Sequence, residues 1–600
     1  MNTARDKAKR FLEREQAFRL GMLPTESSHP KTASLSQTIA ASTADGIRML
    51  MRVDEEIAPA IERVVASEPF GRLVDALVEA VTNGKRVFFT GCGATGRLAI
   101  LLEAAWRAFW QDLHAKRPDW CSCFPHAEGA TRSVMAGGDY ALIRSVEGFE
   151  DSRDLGEYQL ARAGVASGDV VVAVTEGGET SFVIGTAWQG LAAGARAFFV
   201  YNNPSEVLRQ HVERSRQVID EPRIVKLDLY TGPMAVAGST RMQATTAELL
   251  ALGAAVEAAL CEVLRRRLTD DEMRQLGIAP RSPADYSRLF GRLLEELSRQ
   301  ENVATIARLV EWEEAIYRRN GLVTYMTDRY LLDVLTDTTE RAPTFRLPPF
   351  RKCDDEVSAR SWAFVKNPRY PAKEAWRRLL RREPRGIDWP ASVYRSLDVA
   401  PHLRDAPPTL DNREIEKFAI GNEIDPSRFE ADDAGLAMIL VGDEIGQAGP
   451  PREAFDRVFV EHAASFARTA AVAVGPAPPD RPVDDVFHVA CDLPASPFAL
   501  WDRLAVKLTL NLMSTATMAR MGRVEGNYMS RVETSNKKLV DRATRLVAHL
   551  AGVDYETACY ALHEAIEKVA PQERATKDAP SPVTVAVEQL RRQRGATADP

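Results

Sequence analysis

The sequence predicts an α/β protein of two domains, each a parallel sheet covered by helices on both faces, with helical segments at the two ends. Three observations predict it. A chain of 600 residues is too long for one hydrophobic core. Short apolar runs of strand length alternate with longer helix-forming segments, the pattern of strands buried on both faces. That alternation occurs twice, on either side of a mainly helical stretch over 240–320.

Taken in order, residues 1–60 read as a polar, helical N-terminal arm. A first domain over 61–290 follows, with strands at "RVFFTG" (86–91), "DVVVAVT" (169–175), "ARAFFVYNN" (195–203) and "RIVKLDL" (223–229). A long apolar helix is expected from Leu98 to Trp110. A second domain over 291–545 carries strands at "LVTYMT" (322–327), "LAMILVG" (436–442), "TAAVAVG" (469–475) and "VFHVAC" (486–491). Within it, the Pro- and Arg-rich stretch 341–411 reads as a long surface excursion. The chain is helical again from about 497, and 546–600 reads as a C-terminal helical region with a polar, Pro-containing tail.

Composition narrows the function classes. Apolar residues make up 45% and charged residues 27%, as in globular proteins, and the net charge of −7 gives no support to nucleic-acid or membrane binding. The charged start "MNTARDKAKRFLEREQ" holds no signal-peptide core, and no run reaches membrane-spanning length. Cysteines 92, 121, 123, 261, 353, 491 and 559 are scattered, with one C-x-C and no second pair for a zinc site. A cytoplasmic protein with reduced thiols, no metal and no cofactor is expected.

The first strand runs into a glycine-rich turn and a helix, "RVFFTGCGATGRLAI" (86–100), which contains G-x-G-x-x-G at Gly91, Gly93 and Gly96. A helix start of this kind favours an anion. A Walker loop needs Lys and Ser or Thr after its last glycine, where this chain has Arg97 and Leu98. A dinucleotide site needs an acidic residue ending a second strand about 20 residues on, and "WQDLHAKRPDW" there is not strand-like. That weakens the dinucleotide reading, and a small sugar phosphate is the third option. A second loop favours it: Thr175-Glu-Gly-Gly-Glu-Thr-Ser181 is again rich in glycine and hydroxyls and again opens a helix. A tight turn between strand and helix is the alternative for that loop.

Four ordered stretches, "GCGATGRLAIL" (91–101), "MAGGDYALIRSVEGFEDS" (135–152), "VAVTEGGETSFVIG" (172–185) and "AGSTRMQATTAELL" (237–250), together resemble the sugar isomerase (SIS) domain. The similarity is to N-acetylmuramic acid 6-phosphate etherases and to the glucokinase regulatory protein, over about 25–260 and more weakly over 320–545. The resemblance implies two tandem SIS domains, each a doubly wound, flavodoxin-like parallel sheet, fused as a pseudo-dimer. Its sites lie between two domains and draw on both.

The family's D-x-x-E-x-P-P-T stretch carries a glutamate implied to be the general acid. In the first domain that position is Ala105, and Glu103 is two residues off and faces elsewhere on a helix. In the second, Asp337-Thr-Thr-Glu340-Arg-Ala-Pro-Thr344 restores the spacing, with Glu340 at the acid position. The family's R-M-K-x-x-T-x-x-K helix ends at Leu249 in the first domain and at Lys507 in the second. The losses are reciprocal, as one retained composite site requires.

The resemblance assigns Glu150 as base, Glu340 as acid, and Lys507 as a contact to sugar oxygens or phosphate. Gly93, Ala94, Thr95, Glu176, Gly177, Gly178, Thr180, Ser181 and Ser239 complete the substrate-binding set. Ala94 and Gly177 replace side chains that bear hydroxyls in etherases, and Glu176 and Glu179 bring negative charge near a phosphate. Plainer roles exist for each. Glu150 could be a solvated carboxylate at a helix start, and Glu340 a surface partner of Arg341 or Arg351. Lys507 could lie on a solvent-facing stripe with Arg503, Asn511 and Ser514, and Thr95, Thr180 and Ser181 could be helix caps.

The implied activity is etherase-type cleavage of the lactyl ether of N-acetylmuramic acid 6-phosphate or a related amino-sugar phosphate. The alternatives are a non-catalytic regulator responsive to sugar phosphate, with a sugar kinase as partner, and an aldose–ketose isomerase.

Overall fold

The computed structural model describes residues 3–278, 280–430, 433–534, 536–573 and 580–596; the last four residues of the predicted tail, 597–600, lie outside the described residues. Ten strands form two five-stranded, fully parallel sheets. The first contains β1 (Val87–Gly91), β2 (Thr131–Met135), β3 (Val170–Val174), β4 (Arg196–Tyr201) and β5 (Ile224–Asp228) in the order β2-β1-β3-β4-β5. The second contains β6 (Val323–Met326), β7 (Ala363–Lys366), β8 (Gly435–Val441), β9 (Arg468–Gly475) and β10 (Asp485–Ala490) in the order β7-β6-β8-β9-β10. The strand order is thus repeated, and it is the flavodoxin-like order. The strand order reverses between β1 and β3 in one sheet and between β6 and β8 in the other, and ligands of such sheets bind outside those strand ends. The apolar runs make the strands: all five residues of β3, Val170–Val174, are buried.

The helices that follow β1 (Gly93–Lys116) and β6 (Leu331–Phe345) pack against each other, as do Gln243–Arg265 and Leu500–Arg520. One continuous apolar cluster therefore runs through both sheets, from Phe88 and Val172 to Tyr325 and Val472. A smaller cluster around Met438, Phe455 and Phe459 covers the other face of the second sheet.

Two expectations need correction. The stretch 341–411 is not a surface excursion. Residues 341–345 finish the helix after β6, and 363–366 supply β7, an edge strand of the sheet. Beyond β7 the segment is held to the first half of the chain by buried charges. Glu103 is fully buried and accepts hydrogen bonds from Ser133 N (2.9 Å), Ser133 Oγ (2.7 Å) and Arg385 Nη2 (2.7 Å). Arg382 Nη1 reaches Asp139 at 2.5 Å. The arginines that made the stretch read as exposed are the groups that anchor it. The N-terminal segment is not simply polar either, since Leu20, Leu35, Ile39, Ile47 and Leu50 join the common core.

Among the described residues, no helix is long and apolar enough to cross a membrane.

Candidate functional site

The carboxyl ends of β1 and β3 present the two glycine loops. At Gly91 an added Cβ would lie 2.5 Å from the carbonyl carbon of Thr95, so only glycine lets the chain fold back tightly into the Gly93–Lys116 helix. Gly93 and Ala94 open that helix. The Thr95 hydroxyl accepts from Cys92 N (3.1 Å) and donates to Cys92 O (2.9 Å), so its side chain is committed to the cap.

In the second loop the Thr175 and Thr180 hydroxyls are 2.9 Å apart, and Gly178 has φ +76°. An added Cβ at Gly177 would stand 1.8 Å from Glu179 Oε2. The Glu179 carboxylate thus fills the space that a serine side chain would take there. Asn203 holds the loop by donating to Gly177 O (2.9 Å). Ser181 opens the Ser181–Ala192 helix, and its hydroxyl makes no hydrogen bond among the described residues. One residue on, Phe182 N donates to Glu150 O (3.1 Å). That bond pins the segment carrying Glu150 to the second loop.

Lys538, at the start of the Lys537–Ala551 helix, reaches into this cluster from the C-terminal region. Its Nζ donates to Glu179 Oε1 (2.9 Å) and lies 3.4 Å from Glu150 Oε1, whose side chain is 33% exposed. Glu26 of the N-terminal segment fixes the same helix through Arg542 (2.6 Å) and Arg545 (2.7 Å). The negative charge expected at the second loop is therefore compensated twice. Glu179 is paired, and burial pushes the Glu176 carboxyl up to about 7 against the pull of Lys538.

The facing wall comes from the second half of the chain. Glu340 is buried, and Arg341 pairs not with it but with Glu313 (2.6 Å) and Asp337 (2.7 Å). The charges that act on Glu340 are those of Arg97, Arg241 and Lys507, with Asp337 opposing them. Arg241 Nε lies 3.6 Å from Glu340 Oε2. Burial raises the Glu340 carboxyl above the ordinary glutamate value despite those three cations. Asp337, one turn earlier, anchors the helix by accepting from Arg241, Arg341, Asn511 Nδ2 (3.0 Å) and Ser514 Oγ (3.0 Å).

Lys507 does not face solvent. Its Nζ donates to Arg241 O (2.9 Å), Thr246 Oγ1 (3.0 Å) and Asn511 Oδ1 (2.7 Å), and burial lowers its pKa to about 8. Arg503, Asn511 and Ser514 on the same stripe are bonded to Asp333 and Asp337. Ser239 precedes Arg241 in a turn where Gly238 has φ +76°.

Two side chains here, Arg97 and Lys538, were not singled out from the sequence as site residues, and Arg241 was read there only with Ser239 and Thr240, as a cluster that closes the site or caps its helix. Arg97 is buried and crosses between the domains, donating to Leu142 O (3.1 Å) and Thr339 Oγ1 (3.1 Å). Its signal was an arginine inside the otherwise apolar "GRLAILL" (96–102). Arg241 is 4% exposed, and its Nε and Nη1 have no hydrogen-bond partner among the described residues. Two buried N–H donors without partners, beside a carboxyl, form a receptor for oxygen atoms. Lys538 had no local signal. Among the described residues, no group of three or more His, Cys, Asp or Glu side chains is placed to hold a metal ion.

Two repeated parallel sheets, with glycine loops from one facing a glutamate and a lysine from the other, define a double SIS-domain protein. The family model for the glucokinase regulatory protein N-terminal SIS domain matches residues 71–189. The N-acetylmuramic acid 6-phosphate etherase of Synechococcus sp. (strain CC9902) is 30% identical over 290 residues, 48% of this chain and 81% of that protein. The etherase of Picosynechococcus sp. is 28% identical over 302 residues, 49% of this chain and 90% of that protein. The chain belongs to the N-acetylmuramic acid 6-phosphate etherase family. Solved structures similar to it include the C-terminal domain of glucosamine-fructose-6-phosphate aminotransferase from Francisella tularensis, with a TM-score of 0.43 and 10% identity, covering 79% of this chain and 96% of that one. Another is tagatose-6-phosphate ketose/aldose isomerase from Escherichia coli, with a TM-score of 0.40 and 10% identity, covering 81% of this chain and 94% of that one.

Proposed function

We propose that the chain is a carbon–oxygen lyase that cleaves the lactyl ether of N-acetylmuramic acid 6-phosphate or a related amino-sugar phosphate at one composite site. The observation that carries this reading is the placement of buried Glu340, from the second half of the chain, against Arg97 and Arg241 from the first. Glu150 takes the proton at C2 of the open-chain sugar, and the C3–oxygen bond to the lactyl group breaks. Glu340, whose hold on a proton burial strengthens, gives its proton to the departing ether oxygen. Water then adds across the C2–C3 double bond, leaving N-acetylglucosamine 6-phosphate and D-lactate. Two carboxyls divide this work, one as base and one as acid: Glu340 is buried, whereas the Glu150 side chain is 33% exposed.

The Gly93 and Ala94 amides, with the loop carrying Glu176, Gly177, Gly178, Thr180 and Ser181, receive the sugar phosphate. Lys507, Arg241 and Ser239 hold sugar oxygens, while Thr95 shapes the first loop through its cap. Release of D-lactate from N-acetylmuramic acid 6-phosphate by the purified chain tests the reading; a protein that binds the substrate and releases none contradicts it. Binding without turnover would instead support a regulator responsive to sugar phosphate. The match to the glucokinase regulatory protein domain and the ion pair already formed between Lys538 and Glu150 favour that second reading.

A further inference from the structure

The repeat in strand order implies a second crevice, outside the carboxyl ends of β6 and β8. The structure holds a cavity of about 690 Å³ there, within the roughly 300–1,000 Å³ range of small-molecule sites. Its walls correspond to those of the first site with the halves exchanged. Asp328 and Arg329 follow β6, Asp443 and Glu444 follow β8, and Ala105 lines the facing helix where Glu340 stands in the other half. With alanine at that position and Leu249 in place of the lysine, this crevice lacks counterparts of Glu340 and Lys507.

It has cations instead. Arg329, Arg381 and Lys116 line the cavity, and none of their charged groups makes a hydrogen bond or ion pair among the described residues. Arg503 also lines it but is occupied by Asp333 (2.5 Å). A second, independent observation comes from Glu444. Its side chain is 6% exposed, its Oε1 accepts from Arg329 N (2.8 Å), and its Oε2 is buried with no partner among the described residues. A buried polar atom of that kind costs stability unless something in the cavity meets it. Burial pushes this carboxyl up to about 8, so at neutral pH it carries a proton to donate.

We infer that this crevice is a second binding site, without catalysis, for a phosphorylated sugar or polyol. Arg329, Arg381 and Lys116 take the phosphate, and Glu444 and Asp328 take hydroxyls. The chemistry matches the groups: guanidiniums suit the phosphate dianion, and carboxyl groups around them suit hydroxyls. The site shares two helices with the first, since Arg97 and Ala105 lie on Gly93–Lys116, and Arg503 and Lys507 on Leu500–Arg520.

Hydrogen exchange of the full chain with saturating glucose 6-phosphate tests this, with glucose as control. The inference predicts slowed exchange at 327–332 and 378–382 with glucose 6-phosphate and none with glucose. It also predicts loss of that protection in the Arg329→Gln/Arg381→Gln double variant, and its retention in Glu340→Gln. No protection in these segments of the wild type overturns it, as does protection that survives the double substitution. Should the double variant fail to fold, Arg329→Gln, at an exposed position, is expected to weaken the effect at least tenfold in ligand concentration, and an unchanged concentration dependence overturns it. Protection at 93–97 and 175–182 reports the first site separately, so failure of either reading is seen by itself.

Discussion

Arg241 Nε, from the first half of the chain, lies 3.6 Å from Glu340 Oε2 of the second, inside the protein. The same guanidinium donates to Asp337 and to Ser514 Oγ (2.9 Å). One arginine therefore both ties the two sheets together and supplies the charge beside the proposed acid. Neither half of the chain contains this arrangement alone.

Asp337 is the residue on which that tie depends. Replacing it with alanine leaves Arg241 and Arg341 buried, with Asp337 removed from both. Breaking a buried pair in this way costs about 3–5 kcal/mol. Asp337→Ala is expected to lower the urea midpoint accordingly, with the slope of the transition unchanged.

Asp54 gives a pH signature to stability. It is 2% exposed, accepts from Gln243 Nε2 (2.7 Å), and burial moves its carboxyl from 3.8 to about 7. The folded state keeps a proton that the unfolded chain releases from about pH 4 upward. The contribution is full below about pH 4 and is lost as pH rises to about 7. Asp54→Asn should flatten the fall in stability between about pH 5 and 7. At about pH 8 it should be more stable than the wild type by ~1–2 kcal/mol. Denaturant curves at three pH values check both.

Glu103 clamps the segment beyond β7 to the first sheet through Ser133, Arg382 and Arg385. Glu103→Ala removes a buried charge that three arginines, Arg107, Arg382 and Arg385, share. We expect a loss of about 3 kcal/mol and faster hydrogen exchange across 381–387. Exchange unchanged in that segment would show that the clamp does not hold it.

Lys507 sets an alkaline limit on the proposed reaction. With burial holding its pKa at about 8, it is protonated below that pH and loses its charge above it. The rate at low substrate should fall above about pH 8. In Lys507→Arg, which stays charged, that limb should move to higher pH even where the rate itself is reduced.

The sequence carried some of this structure and not the rest, for physical reasons. Strands such as 170–174 were legible because a parallel strand buried on both faces must be a run of β-branched and aromatic residues. The strands 131–135 and 363–366 were not. Each lies at a sheet edge, and "TRSVM" and "AFVK" mix polar with apolar residues accordingly. Glu340 stood out by its spacing to Asp337 and Pro343. Lys538 could not, because it meets Glu150 from 388 positions further along the chain. Arginine-rich 341–411 misled because a charged side chain reads as exposed until its buried partner, here Glu103 or Asp139, is seen.

In the proposed reaction, two carboxyl groups from different halves of the chain divide the work between them. Incubating N-acetylmuramic acid 6-phosphate in deuterated water, and following both C2 hydrogen exchange and D-lactate release, separates the two roles. Glu150→Gln is expected to lose both by at least ~100-fold, whereas Glu340→Gln keeps exchange at C2 and loses lactate release. Lactate release at the wild-type rate from Glu340→Gln would contradict that division.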